Sequence, residues 1–361
     1  MPSALDGLLI ADFGRVLAGP YATMLLGDLG ADVVKIERPD GGDDTRAWGP
    51  PFTEDGEATY FLSVNRNKRG EFWDLREADD LAAARDLVTR ADVVVENFLP
   101  GTMARLGLGY EQVREWNPDV VYVSITGFGE SSLPGYDLLV QAVGGLMSVT
   151  GPSDEPTKVG VALVDVVTGL HAAVGMLAAL RHRDATGEGQ RVEVSLLSSL
   201  LSALTNQAGA HVMTGAVPRR MGNRHPSLVP YEVFETADRP LAIAVGNDRQ
   251  FACAAKVLSH DEWTQDARFA TNSARVEHRD DLVPLMLEAL SAHGAQEWAE
   301  RFADAGVPAG PVNDLAQAFA LAESVGLDMR VDVEGVAQVA NPIRMSATPA
   351  SYRRRPPRLE A

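Results

Sequence analysis

The sequence predicts an α/β protein, with a large domain built on an open, Rossmann-like parallel sheet and a smaller α/β domain following it in the chain. Two observations carry this. Short apolar runs recur at residues 8–13 (LLIADF), 31–37 (ADVVKIE), 92–97 (DVVVEN) and 120–126, with helical patterns between them. Valine- and isoleucine-rich runs without polar alternation are typical of strands buried on both faces. The second observation is spacing. Strand, helix and strand within about thirty residues make a βαβ unit, whose crossover pairs its strands in parallel.

Taken in order, the 8–13 strand runs into a Gly/Pro loop (14–20), and a helix over Tyr21–Asp28 ends at Gly30. The 31–37 strand follows. An amphipathic helix (79–90), the 92–97 strand, a short helix (110–116) and the 120–126 strand repeat the pattern. Residues 137–212 read as mainly helical, with one β-like segment at 190–195. A polar Gly/Pro/Arg-containing link (214–230) leads to extended segments at 231–235 and 241–245 and then to helices from Asp248 through Ala303. Residues 334–348 look extended, and Arg353, Arg354 and Arg355 read as a solvated tail. The expected organisation is a large domain (1–212), a linker (213–230), a small domain (231–320) and a C-terminal return to the large domain (321–361).

Composition narrows the function. The 361 residues are 45% hydrophobic, enough for a sizeable core, and 50 acidic against 32 basic residues give a formal charge of −18. Such a field repels phosphate at long range, which argues against nucleic acid and anionic membranes as partners. It leaves open a small phosphorylated ligand held by a few local arginines. The lone Cys253 excludes an intramolecular disulfide framework and a cysteine-rich zinc site, and fits a cytoplasmic protein. No secretory signal pattern opens the chain. The stretch between Lys158 and Arg181 is long and apolar enough to span a bilayer. Asp165 within it, and its many Gly and Ala residues, favour a packed helix instead.

Common catalytic motifs are missing. No G-x-G-x-x-G follows the first strand, and no P-loop, HExxH or G-x-S-x-G occurs. The histidines show no tight metal spacing, so no metal is expected.

Three segments stand together: DFGRVLAGPYATMLLGDLGADVVKIERPDGGDDTR (12–46); NRNKRGEFWDLR (65–76) with ADVVVENFLPGTMARLGLGY (91–110); and GYDLLVQAVGGLMSVTG (135–151) with VALVDVVTG (161–169). With GNRHPSLVPYEVF, AVGNDRQF and AGVPAGPVND further on, they resemble the family III CoA-transferases, the formyl-CoA and carnitine-CoA transferase group. The resemblance runs over almost the whole chain.

The resemblance puts Asp165 at the family's catalytic aspartate. A carboxylate is ionised at neutral pH and needs no general base to attack a thioester. A helix N-terminus beside it would favour its charged form. The alternative is that Asp165 only caps that helix. CoA or acyl-CoA would be a substrate, with no tightly bound cofactor. The resemblance assigns Arg38, Arg76, Asn97, Phe98 and Arg105 to CoA, with Val16 and Leu75 lining the site; arginine suits phosphate through its planar fork of donors. Lys68 and Arg69 are further CoA contacts or a solvated turn. Tyr136, Gly144, Gly145 and Leu17 are assigned to the acyl pocket, the two glycines serving either backbone approach or helix packing.

Departures bear on the reaction. Gly135-Tyr136-Asp137 stands where the related α-methylacyl-CoA racemases carry Gly-His-Asp, so their proton-transfer pair is incomplete. Asp248 lies near a racemase acidic position or caps the following helix. Leu17 stands where formyl-CoA transferases carry Gln, which points to a larger or less polar acyl group. The expected activity is reversible CoA transfer from an acyl-CoA to a carboxylic acid; racemisation and non-catalytic acyl-CoA binding are the alternatives. The resemblance also implies an interlocked homodimer.

Overall fold

The computed structural model describes residues 3–359. Strands β1 (Leu9–Asp12), β2 (Asp32–Glu37), β3 (Lys68–Phe72), β4 (Val93–Glu96), β5 (Val121–Thr126) and β6 (Gln190–Ser195) pair in parallel, side by side in the order 3-2-1-4-5-6. The expected strands are present. β3 is an addition: KRGEF has no apolar run, and its first residue, Lys68, enters the interior as a charge.

The helices of this part of the chain are α1 (Ala18–Asp28), α2 (Thr59–Ser63), α3 (Ala78–Arg90), α4 (Thr102–Arg105), α5 (Tyr110–Trp116), α6 (Asp137–Val143), α7 (Leu146–Val149), α8 (Leu163–Thr186), α9 (Leu196–Ala203) and α10 (Thr205–Thr214). Successive strand residues point to opposite faces. Ile10, Val33, Val93, Val95, Val121 and Val123 therefore pack with α1, α8 and α9. Ala11, Val34, Val94 and Tyr122 enter a second core with α3 and α5. Both faces are covered, which is why the runs read as uninterrupted valine and isoleucine.

Helix α8 is long and apolar enough to cross a membrane by length and composition. Its buried stripe, Val164, Thr168, Ala172, Met176 and Leu180 at four-residue spacing, packs on the sheet layer. A Cβ on Gly169 would meet the Ala18 carbonyl at 2.7 Å, so only glycine lets α1 and α8 approach this closely.

The described residues form two compact units. One comprises the chain up to Leu146, Lys158–Pro218 and the chain from Leu327 onward; the other comprises Met147–Thr157 and Arg219–Gly326. The smaller unit carries an antiparallel sheet of β7 (Tyr231–Phe234), β8 (Leu241–Ala244) and β9 (Ala309–Pro311). Its helices are α11 (Asp248–Val257), α12 (Asn272–Glu277), α13 (Arg279–Leu290), α14 (Ala295–Asp304) and α15 (Leu315–Ser324). Phe234, Phe251, Phe269, Trp298 and Phe302 fill its core.

In the larger unit, β10 (Arg330–Val333) and β11 (Val336–Val339) form a hairpin. The arginine tail beyond it is not a solvated terminus. Arg353 donates to the carbonyls of Gly27 and Ala31 at 2.8 Å, holding the C-terminal end of α1, and Arg355 pairs with Glu57.

Candidate active site

Ligands of open parallel sheets gather at the carboxyl ends of the strands, where the strand order reverses. Here that point lies between β1 and β4. The β1 loop is held on several sides. Asn97, just past β4, accepts from Arg15 N and donates to Arg15 O, both at 2.8 Å. Asp43 accepts from Val16 N at 3.2 Å, and Lys35 Nζ donates to the Gly14 carbonyl at 2.9 Å. These bonds keep Val16 at φ 65°, a left-handed conformation that is strained for a β-branched residue.

A buried charge network lies under the loop. Lys68 Nζ reaches Asp12 Oδ2 at 2.9 Å, the Pro20 carbonyl at 2.8 Å and Asn65 Oδ1 at 3.0 Å. Lys35 Nζ pairs with Asp43 Oδ2 at 3.0 Å. Burial pulls Lys68 down to about 8, still protonated at neutral pH. Burial alone would raise Asp12, but the ammonium groups of Lys68 and Lys35 outweigh it and hold the carboxyl below its usual range.

Two cavities open above this platform. The first, about 400 Å³, is lined by Arg15, Val16, Leu17, Asn97, Phe98, Tyr136 and Asp165, among others. The second, about 450 Å³, is lined by Arg38, Leu75, Arg76, Trp73 and Asp74. Arg15, Phe98 and Thr102 line both, and the Arg15 guanidinium lies 4.6 Å from the centre of the Phe98 ring. The arrangement suits an elongated ligand with an anionic end near Arg38 and Arg76 and a reactive end near Asp165.

Asp165 is the third residue of α8 and half-buried, and it is not the helix cap. Asp137, at the start of α6, does that work: its Oδ1 accepts from Val164 N at 2.8 Å and from Asp165 N at 3.3 Å. The expectation that the helix N-terminus keeps Asp165 readily ionised is therefore corrected. Burial first, and Asp137 second, push its carboxyl up to about 7. Burial, with Asp165 and Asp137 next, likewise pushes Tyr60 up to about 12.

The description CoA-transferase family III matches residues 5–361. A succinate–glutarate CoA-transferase of Agrobacterium fabrum is 42% identical over 370 residues, spanning 98% of this chain and 92% of that protein. The chain belongs to CoA-transferase family III. The human succinyl-CoA:glutarate CoA-transferase is 40% identical, spanning 98% of this chain and 83% of its own. A CAIB/BAIF family protein from Brucella suis superposes with a TM-score of 0.89 at 41% identity, covering 99% of this chain and 97% of the other.

Within this family III CoA-transferase, most of the expected site residues meet at the two cavities. Arg105, Gly144 and Gly145 are not among the lining residues. Arg105 Nη2 donates to Thr102 Oγ1 at 2.9 Å on the exposed side of α4. Gly144 follows α6, where a Cβ would meet Leu200 Cδ2 and the Val140 carbonyl at 2.6 Å, so the helix-packing reading holds for it. Arg76 is paired with Asp74 at 2.7 Å and Arg38 with Asp44 at 2.8 Å. Lys68 is no part of a solvated turn, being buried on Asp12, while Arg69 pairs with Asp32 at 2.7 Å near the surface, and neither lines the two cavities. Asp248 pairs at 2.8 Å with Arg275, a fully buried arginine that also holds the carbonyls of Val229 and Phe269. That ion pair gives Asp248 a structural partner, and it is Asn247, accepting from Gln250 N at 2.9 Å, that caps α11. The reading of the sequence missed Arg15, which lines both cavities. Arg15 takes its place through its bonds to Asn97, 82 positions later, a contact that no local sequence signal announces.

Proposed function

We propose that this CoA-transferase carries CoA reversibly between two carboxylic acids through Asp165, with a dicarboxylate as one of them. The observation that carries the reading is Asp165 on the wall of a cavity that shares Arg15 and Phe98 with an arginine-lined second cavity. A carboxylate oxygen of Asp165 attacks the thioester carbonyl carbon; the C–S bond breaks and CoA leaves as a thiolate. The thiolate attacks the aspartyl carbonyl of the mixed anhydride, releasing the first acid as a carboxylate and leaving an aspartyl-CoA thioester. The acceptor carboxylate attacks that thioester and expels the thiolate. Attack of the thiolate on the new acyl carbonyl frees Asp165. No net proton is exchanged.

The raised carboxyl suits this sequence. A thiol ionises near 8.5, so a carboxylate of ordinary pKa, about 4, would be expelled far more readily than the thiolate. Pushed up to about 7 by burial and by Asp137, Asp165 narrows that gap while still ionising close to neutral pH. The dicarboxylate is supported by relatives named for succinate, glutarate and mesaconate, and Arg15 supplies positive charge to the cavity. Screening acyl-CoA donors against mono- and dicarboxylate acceptors tests the proposal. Transfer to dicarboxylates supports it, whereas α-proton exchange without transfer contradicts it.

The same reading includes a homodimer. Leu138 and Val143 of α6, and Leu170, Val174 and Leu177 of α8, are exposed apolar residues; a second copy covering them would explain a helix this apolar in a CoA-transferase. Native mass spectrometry giving twice the chain mass supports this, and a monomer at micromolar concentration contradicts it.

A further inference from the structure

We infer that Asp137 is a positioning residue that sets the nucleophilicity of Asp165 by occupying the N-terminus of α8. The inference rests on the proposal that Asp165 is the nucleophile. Free N–H groups at a helix start stabilise a nearby carboxylate. Here two of them, of Val164 and Asp165 itself, are taken by Asp137 Oδ1 from another helix. N-cap residue Ala162 has no side chain able to do this.

Asp137 is itself held. Its Oδ2 accepts from Gln141 Nε2 at 2.6 Å, and the buried Gln141 accepts from Val159 N at 2.9 Å. Gln141 thereby joins α6 to the segment leading into α8. The anchored carboxylate consumes the dipole end that would favour ionisation of Asp165 and adds a like charge beside it. Both effects favour the proton on Asp165.

Tyr60 of α2 stays neutral at working pH and is coupled to both aspartates. Arg15 and Asp44 line the same cavity from the loops after β1 and β2, and Tyr136 lines it from the start of α6. On the α1 side, Tyr21 packs against Gly169, further along α8. Burial raises its hydroxyl, which also remains neutral at working pH.

Asp137→Asn tests the inference, because the amide oxygen still accepts from the helix while the charge is gone. With carboxyl-¹³C aspartate, the Asp165 resonance is assigned by its loss in Asp165→Asn and titrated in both backgrounds. The expected midpoint is near 7 in the wild type and about one unit lower in Asp137→Asn. The acid limb of kcat/KM should move down with it. The high-pH plateau should fall about threefold, for a Brønsted slope of about one half, as in thiol exchange. An unmoved or raised midpoint in a folded Asp137→Asn overturns the inference. Full turnover by Asp165→Asn would overturn the nucleophile assignment instead, and the resonance titration keeps the two failures apart.

Discussion

Asn97 and Arg15, 82 positions apart in the chain, hold each other by a reciprocal pair of hydrogen bonds, each 2.8 Å long. The pair ties the loop after β1 to the end of β4 and sets the Arg15 guanidinium over Phe98. Asn97→Ala leaves the Arg15 N–H and carbonyl without these partners, at a cost of about 1–2 kcal/mol in stability. The KM for acyl-CoA should rise about tenfold, with a smaller change in kcat, as a loss of positioning predicts. Steady-state kinetics with thermal unfolding checks both effects.

Arg15→Leu and Arg105→Ala should separate. Arg15 lines both cavities, whereas Arg105 is bonded to Thr102 outside them. Removing a charged donor from a ligand anion typically costs about 2 kcal/mol, or some thirtyfold in affinity. Calorimetric titration with CoA should show that loss for Arg15→Leu and less than about threefold for Arg105→Ala, a surface change.

Lys68→Met strands Asp12 in the interior without its ammonium partner. Breaking a buried pair by removing one side costs about 3–5 kcal/mol. The unfolding midpoint in urea should fall accordingly. Lys68→Met combined with Asp12→Asn should recover part of the loss, because the remaining buried charge is removed.

These residues show what the sequence discloses and what it conceals. β1, β2, β4 and β5 are legible because strands buried on both faces leave runs of valine and isoleucine. β3 is not, because the burial of Lys68 depends on Asp12, 56 positions earlier. Asp165, Asn97 and Phe98 are legible through the family pattern. Arg15 becomes visible only when β1 and β4 lie side by side. The upward push on the Asp165 carboxyl is concealed for a similar reason: adjacency to a helix start suggests a stabilised carboxylate, and only the fold shows first that Asp165 is largely buried and second that Asp137 is already seated at the helix start. The arginine tail reads as solvent-exposed because its partners, the carbonyls of Gly27 and Ala31, lie more than 300 residues earlier.

Stability should carry the signature of Asp165. Below about pH 4 its carboxyl is protonated in both folded and unfolded chains. Between there and about 7 the unfolded chain ionises while the folded chain keeps its proton, so the wild type loses stability as pH rises. Above about 7 the penalty is constant. Asp165→Asn, which has no such penalty, should unfold at a higher temperature than the wild type at pH 8, with the gap closing as the pH falls toward 4. Melting curves across this range check the sign.

The central claim is that Asp165 becomes covalently bound to CoA during turnover. Incubating the enzyme with its acyl-CoA donor, adding borohydride and digesting the protein for peptide mass spectrometry tests it most directly. The account predicts homoserine in place of Asp165, dependent on acyl-CoA. An unmodified Asp165 in enzyme that is turning over, with reduction at another carboxylate or at none, would contradict it.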